Sequence, residues 1–167
     1  ITKAGLLGID SKDPNLIMKT LNKIIKKVDI GRLRMSLNLA HFQNGSMKLS
    51  SAAMPPIYHF ENKNKKVDEI QISNLPLGGL IGEDFTVLNK KFSKGDVLVM
   101  ISDGLPEAPN KNGDLLDYQA VKECVEKNSL KSAEEIKNEL VKLSDNWLDG
   151  LHNPDDITIV VCKKLVN

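Results

Sequence analysis

Two short, almost wholly apolar segments constrain the fold of this chain more than any other feature of its sequence. They are Val97 to Ile101 and Ile157 to Cys162. A strand with one face in water alternates polar and apolar residues, whereas a strand covered on both faces has a continuous apolar run. We therefore expect both segments to be central strands of a β-sheet.

The preceding sequence predicts a helix followed by an antiparallel meander. A helix starts after Asp13-Pro14, because an aspartate cap and a proline at the first helical position favour helix initiation, and its apolar stripe runs from Ile17 to Val28. Residues 1–9 are expected to end an earlier helix. Alternating polarity and turn residues predict strands at 33–42, 47–51, 57–60, 67–72 and 85–92.

Two amphipathic helices are predicted between the two apolar segments. The first is capped by Asp117, and the second opens with the capping box Ser132 to Glu135. Trp147 completes the apolar stripe of the second helix, so we expect it in the core. Helices, a meander, helices and a final strand indicate the α+β class rather than a parallel, doubly wound sheet.

Size, charge and cysteine content limit the classes of protein. The 167 residues, 41% of them hydrophobic, suit a single domain that spans residues 1–167. The 23 basic and 22 acidic residues are scattered, so we expect neither nucleic-acid binding nor direct membrane contact. Cys124 and Cys162 lack metal-ligand spacing, and we predict buried thiols in a reducing, cytoplasmic compartment.

Acidic residues flank both apolar segments. Ser102-Asp103-Gly104 follows the first segment, and Asp155-Asp156 precedes the second. If the two strands are antiparallel neighbours, both groups lie at the same sheet edge, where carboxylates could bind Mg²⁺ or Mn²⁺ and Gly104 would permit close approach. The alternative remains open that the first group is an ordinary turn and the second a solvated cap.

Four segments, in order along the chain, resemble motifs of one family. These segments are Asn74 to Gly78, which resembles G-x-P-L-G; Phe92 to Met100, which resembles the L-x-P-G-D strand entry; Ile101 to Asn110, which resembles Y-T-D-G-V-T-E-A-R-N; and Asp155 to Val161, which resembles D-D-I-T-L-V-V. The family is that of the PPM-type (type 2C) metal-dependent protein phosphatases, in their SpoIIE/RsbU-like bacterial branch. The resemblance covers nearly the whole chain.

The resemblance implies a fold and an activity. The fold is an α/β/β/α sandwich of two antiparallel sheets flanked by helices, here N-terminally truncated. The activity is hydrolysis of phosphoserine or phosphothreonine with Mn²⁺ or Mg²⁺, two ions in the complete domain, by a metal-activated water. The resemblance implies that Asp103 and Asp155 are the catalytic metal ligands and that Gly104, next to Asp103, is part of the metal site. It also implies that Asp156 and Glu107 support these ligands without binding the ion.

The same resemblance implies partners and shows departures. Substrates in that branch are small proteins of sigma-factor control, so an anti-sigma-factor antagonist is an expected partner, and the chain could be the cytoplasmic part of a membrane-attached sensor. The family motif D-x-x-G-H-G is expected upstream of Ile1, and Ala53 and Met54 replace a glycine and a histidine of N-A-G-H-P-P.

Two other hypotheses stay open at this stage. One is a catalytically inactive, phosphatase-like module that binds a partner, and the other is a fragment that binds at most one weak ion. His41 and His59 are isolated in sequence, and we expect them to be surface or satisfied core groups. His152 lies in the loop that leads to Asp155, where a capping or solvated imidazole is favoured over a proton donor.

Overall fold

The computed structural model describes residues 12–28, 34–80, 82 and 84–165, so the predicted helix end at 1–9 lies outside the described residues. The chain divides into two compact units. The first takes in the chain up to Met54 together with Ile72–Phe92, and the second takes in Pro55–Gln71 and the chain from Ser93 onward. The assignment of 1–167 to one domain remains a prediction.

The secondary structure follows the predicted order of elements. The helices are α1 (Pro14–Val28), α2 (Tyr118–Asn128) and α3 (Ala133–Leu148). The strands are β1 (Leu37–Gln43), β2 (Ser46–Ala52), β3 (Ile57–Glu61), β4 (Lys66–Ile70), β5 (Leu88–Lys91), β6 (Val97–Ile101) and β7 (Ile159–Lys163).

The first unit contains an antiparallel sheet in the order β1-β2-β5, with α1 packed against β1 and β2. Leu21 of α1 is fully buried, as the predicted stripe requires, and Met18, which was not assigned to that stripe, is fully buried as well. Its last residue, Val28, is 40% exposed, so the prediction was wrong there. The β1–β2 turn has positive φ at Asn44 (47°) and Gly45 (77°), which is the conformation that Asn-Gly favours.

Two strands of the first unit are shorter than predicted because other groups satisfy their backbones. Strand β5 does not include residues 85–87, since the N–H groups of Phe85 and Thr86 donate to the side-chain oxygens of Asn15 and Asn74. Strand β1 begins at Leu37, and Met35 instead forms an isolated bridge with Leu77. Side-chain acceptors thus replace a strand neighbour before β5, whereas the Leu77 backbone does so before β1.

The second unit contains an antiparallel sheet in the order β4-β3-β6-β7, against which α2 and α3 pack. Strand β6 is almost wholly buried, so the prediction of a covered central strand is confirmed. Strand β7 is not: each of its residues is partly buried or exposed, and Val160 is 42% exposed. Among the described residues β7 pairs only with β6, so no neighbouring strand shields its other side and its side chains lie nearer to solvent.

The helix caps of the second unit are those predicted. The Asp117 side chain accepts a hydrogen bond from the Tyr118 N–H, and Ser132 and Glu135 form the reciprocal capping box of α3. Trp147 packs against the apolar core of this unit, and its indole N–H donates to the Asp114 carbonyl (3.2 Å). Cys124 and Cys162 are both free thiols, as expected, but each is partly buried rather than buried.

The predicted fold class is confirmed. In the described part of the chain, two antiparallel sheets are flanked by three helices, which is an α+β arrangement. Across the ranges given above, none of the helices combines the length and the hydropathy that crossing a bilayer requires.

Candidate functional site

The pairing of β6 with β7 sets the position of the acidic segments. The strands run antiparallel with Ile101 opposite Ile159, so the segment leaving β6 lies beside the segment entering β7. Asp103 is in the first of these segments, and Asp155 and Asp156 are in the second. The sequence-based expectation that the two groups share a sheet edge depends on this antiparallel pairing, which the structure contains.

Ser102 connects the two segments through both its backbone and its side chain. Its N–H donates to the Thr158 carbonyl (3.0 Å), which extends the β-ladder beyond the assigned strands. Its hydroxyl donates to the Asp156 carbonyl (3.1 Å) and accepts from the Thr158 N–H (2.8 Å). The residue before Asp103 is therefore fixed to the residues that follow Asp155.

Gly104 brings the two backbones into contact on the other side of Asp103. A Cβ atom at Gly104 would lie 2.5 Å from the Asp156 carbonyl oxygen and 3.0 Å from its carbonyl carbon. Such separations are far below van der Waals contact, so only glycine permits this approach. The Gly104 carbonyl also accepts a hydrogen bond from Asn153 Nδ2 (2.8 Å).

The side chains of the predicted site differ in how they are held. Asp103, Asp155, Asp156 and Glu107 are all exposed. Asp155 Oδ1 accepts the N–H of Asp156 (2.8 Å), and the Glu107 N–H donates to the Asp103 carbonyl (3.0 Å) in the turn after β6. The structure thus brings the Asp103 and Asp155 segments together, with Asp156 in the same contact and Glu107 one turn further along.

Tyr118, the first residue of α2, adds a phenol beside these carboxylates. Burial is the largest cause that raises the pKa of Tyr118 above 10.0, and the charges of Glu107 and Asp103 together with a hydrogen bond to Glu107 raise it further. A phenol with a raised pKa remains a hydrogen-bond donor across the neutral range. Glu107 therefore has a neutral donor as its neighbour.

A cleft of about 510 Å³ opens next to Asp155, between α3 and the segment that leads into β7. Apolar side chains such as Val141 and Ile157 line it, and polar groups of Lys137, His152 and Asn153 face it. His152 is exposed in this cleft, so the expectation of a solvated loop residue agrees with its position.

The donor types at this edge suit a hard divalent cation. Carboxylates and a backbone carbonyl are the oxygen ligands that Mg²⁺ and Mn²⁺ prefer, and the hydrogen-bonded Gly104 carbonyl keeps a second lone pair. Within residues 12–28, 34–80, 82 and 84–165, however, no three His, Cys, Asp or Glu side chains form a group that could hold an ion. The described residues thus fit the chemistry of such a site and provide only part of a ligand set.

Three residues of the site were not identified from sequence. The Ser102 hydroxyl lies inside a motif that was singled out, but its two bonds depend on pairing with a segment more than fifty residues away. Asn153 and Tyr118 carried no signal, because an asparagine in a loop and a tyrosine at a helix start are ordinary in sequence. A motif-based search could have identified only Ser102.

Comparison with known structures assigns the class of protein. The fold matches the PP2C phosphatase domain of the cell fate determinant SpoIIE from Bacillus subtilis, with a TM-score of 0.71 and 25% identity over 96% of this chain and 47% of that one. The catalytic domain of the serine/threonine protein phosphatase PstP, solved with two manganese ions, has the same fold (TM-score 0.67, 16% identity, 96% of this chain and 77% of that one). The chain therefore has the fold of a PP2C-type phosphatase domain.

Sequence comparison gives the family. The family model for stage II sporulation protein E (SpoIIE) matches residues 5–164, and the chain belongs to that family. It is 28% identical over 160 residues to stage II sporulation protein E of Bacillus subtilis, covering 93% of this chain and 18% of that protein. It is 25% identical over 159 residues to the phosphoserine phosphatase RsbU of the same organism, covering 92% of this chain and 46% of RsbU. The predicted SpoIIE/RsbU-like relationship is confirmed, and the chain spans less than half the length of these relatives.

Proposed function

We propose that this chain forms part of a metal-dependent protein serine/threonine phosphatase that acts on a phosphorylated regulatory protein. The observation that carries the proposal is the contact between the Asp103 and Asp155 segments at one edge of the sheet, made through Ser102, Gly104 and Asn153. Family membership supports the same activity, since relatives include a phosphoserine phosphatase.

In this proposal Asp103 and Asp155 are the metal-binding carboxylates, and the Gly104 carbonyl is an additional oxygen donor. A bound Mn²⁺ or Mg²⁺, with two ions expected in the complete site, would lower the pKa of a coordinated water and neutralise charge on the phosphoryl oxygens. Asp156 contributes its backbone, which is fixed to Ser102, rather than a ligand. Glu107 orients the turn that carries Asp103 and holds the Tyr118 phenol nearby.

The substrate class and cellular setting belong to the same proposal. The substrate is a phosphoserine or phosphothreonine protein of bacterial signalling, such as an anti-sigma-factor antagonist. Residues 1–167 work as one domain in a cytoplasmic part of the protein. The domain contacts neither nucleic acid nor a membrane directly, in keeping with its balanced charge of 23 basic and 22 acidic residues.

Phosphate release from a phosphoserine peptide by the full-length protein with Mn²⁺ tests the proposal. Asp103→Asn and Asp155→Asn should each reduce kcat/KM by at least about 100-fold, because each removes a charged ligand of the ion that stabilises the transition state. Asp156→Asn should reduce it by less than about 10-fold, because the substitution keeps the backbone carbonyl that bonds to Ser102 and removes no ligand of the ion.

Glu126→Gln is the matched control, since it removes one negative charge from an exposed position of α2. It should leave kcat/KM unchanged. The competing hypothesis of an inactive partner-binding module predicts that the wild-type protein binds the phosphopeptide but releases no phosphate. That result, or full activity of Asp103→Asn, would contradict the proposed function.

A further inference from the structure

The residues on either side of Asp103 are both tied to the segment that carries Asp155. On one side the Ser102 hydroxyl bonds to the Asp156 carbonyl and the Thr158 N–H. On the other side Asn153 Nδ2 bonds to the Gly104 carbonyl. We call this pair of side-chain links the loop clasp.

The clasp acts on backbone, so it restrains the acidic side chains without contacting them. With Ser102 and Gly104 both fixed, Asp103 keeps only its own side-chain torsions relative to the opposite segment. Conformational entropy that the Asp103 segment has already lost in the metal-free protein is not lost again when the ion binds. This is the physical basis of preorganisation. The carboxylates themselves are exposed and gain no comparable restraint from burial.

Asn153 has a defined orientation within the clasp. Its amide nitrogen must face the Gly104 carbonyl, because only the nitrogen can donate to that oxygen. Its Oδ1 atom is buried and accepts no hydrogen bond from the described residues, although burial of an unpaired acceptor normally costs stability. Within the described residues, the one hydrogen bond of the Asn153 side chain is therefore the bond that links it to the Asp103 segment.

We propose that Asn153, with Ser102, is a positioning residue that sets the separation of the Asp103 and Asp155 segments and thereby the affinity for the divalent cation. The inference rests on the proposed function, since it concerns the same ion. It assigns no ligand or proton-transfer role to either side chain. Loss of a residue that orients metal ligands typically weakens metal binding about 10- to 100-fold.

The principal experiment is calorimetric titration of the full-length protein with Mn²⁺. Asn153→Ala and Asn153→Asp both remove the donor, and each should weaken Mn²⁺ binding about 10- to 100-fold. The Mn²⁺ concentration for half-maximal phosphatase activity should rise by the same factor, while kcat at saturating Mn²⁺ stays within about threefold. Ser102→Ala should act in the same direction, and Ser102→Thr, which keeps the hydroxyl, should restore the wild-type affinity.

Asn138→Asp is the matched control for Asn153→Asp, since it adds the same charge on an exposed face of α3. It should leave Mn²⁺ affinity unchanged. Tighter binding in Asn153→Asp together with wild-type affinity in Asn153→Ala would show that charge alone matters, and would overturn the inference.

Amide hydrogen exchange of the metal-free protein gives a readout that needs neither metal nor turnover. Asn153→Ala should speed exchange in residues 102–108 and leave the amides of β3 and α2 unchanged. If the wild-type protein hydrolyses the phosphopeptide but Asn153→Ala changes neither amide exchange nor Mn²⁺ affinity, this inference is wrong and the proposed function still holds. A wild-type protein that binds no Mn²⁺ would overturn both.

Discussion

The two ends of strand β6 both carry an aspartate, and the two residues are held in opposite ways. Asp96 precedes the strand and is only 4% exposed. Its carboxylate accepts the N–H groups of Asn62 (2.9 Å) and Ser93 (2.7 Å), and its Oδ2 lies 3.5 Å from His59 Nε2. Asp103 follows the strand, is exposed, and is positioned through its neighbours rather than through its own carboxylate.

The difference separates a structural carboxylate from one that is available to a ligand. At the Asp96 end the protein supplies hydrogen-bond donors to the carboxylate. The charge therefore stabilises the turn before β6 and links it to Asn62, which follows β3. At the Asp103 end the fold fixes the backbone and leaves carboxylate oxygens facing solvent. Substitutions at the two ends should therefore separate stability from function.

The largest expected effect is on the stability of the Asp96 end. Asp96→Ala removes two hydrogen bonds to a buried charge and should lower the free energy of unfolding by about 3 kcal/mol. Asp103→Ala, at the exposed end, should change it by less than about 0.5 kcal/mol. Urea denaturation of both variants measures this contrast, and equal losses would break the distinction between the two ends.

A second prediction concerns the close approach at Gly104. Gly104→Ala places a Cβ against the Asp156 carbonyl, so the segments must separate, with a stability cost of about 1–3 kcal/mol and a marked loss of Mn²⁺ affinity. Gly113→Ala is the control: it has open space but φ of 85°, so it should cost about 1 kcal/mol of backbone strain and leave Mn²⁺ binding intact. Thermal unfolding and Mn²⁺ titration of both variants provide the comparison, and normal Mn²⁺ binding by Gly104→Ala would contradict the prediction.

A third prediction uses the phenol beside the exposed carboxylates. The pKa of Tyr118 is raised above 10.0 in the folded protein. The contribution of the neutral phenol to the free energy of unfolding is therefore fully present below pH 10 and is lost as the pH rises through the folded-state pKa. Tyr118→Phe lacks this group, so wild-type stability should fall more steeply above pH 10 than that of the variant. Denaturation midpoints from neutral to alkaline pH test this, and parallel curves would rule it out.

The smallest effect is expected at the capping box of α3, near the Asp96 end of the sheet. Hydrogen bonds from the Ser132 side chain and backbone hold the pKa of Glu135 below 4.5. Because this pKa is lowered, ionised Glu135 contributes to the free energy of unfolding above pH 4.5, and the contribution is lost as the pH falls through the folded-state pKa. Glu135→Ala should therefore be less stable than wild type at neutral pH, with the difference shrinking in acid, as melting curves at several pH values would show. A difference that persists unchanged in acid would count against the capping role.

The sequence predicted the elements well wherever local chemistry determines them. The Asn44-Gly45 turn, the Asp117 and Ser132 caps and the buried strand β6 depend on neighbouring residues, and all are present. Predictions failed where a distant group changes the local outcome. Residues 85–87 were predicted as strand, but the N–H groups of Phe85 and Thr86 bond to the side chains of Asn15 and Asn74. Ile157 to Cys162 was predicted as a covered strand, but β7 has one described neighbour.

Ala53 shows how a departure from the family pattern is understood only in three dimensions. The sequence contains alanine where the family often has glycine, and the structure gives that residue a φ of 50°. Left-handed backbone is costly for any residue with a Cβ atom, which accounts for a glycine preference there. The sequence alone shows that alanine replaces glycine at position 53. The backbone strain at Ala53 follows from its φ value, which only the structure gives.

For the candidate site, the sequence by itself determined which acidic residues flank the two apolar segments, since Asp103 and Asp155 follow from motif and polarity. Only the tertiary structure decided that Ser102, Asn153 and Gly104 hold these residues at one edge, because the bonds join positions about fifty residues apart. Local patterns encode local hydrogen bonding and burial. Contacts between distant segments depend on strand register, which is fixed when the whole sheet forms.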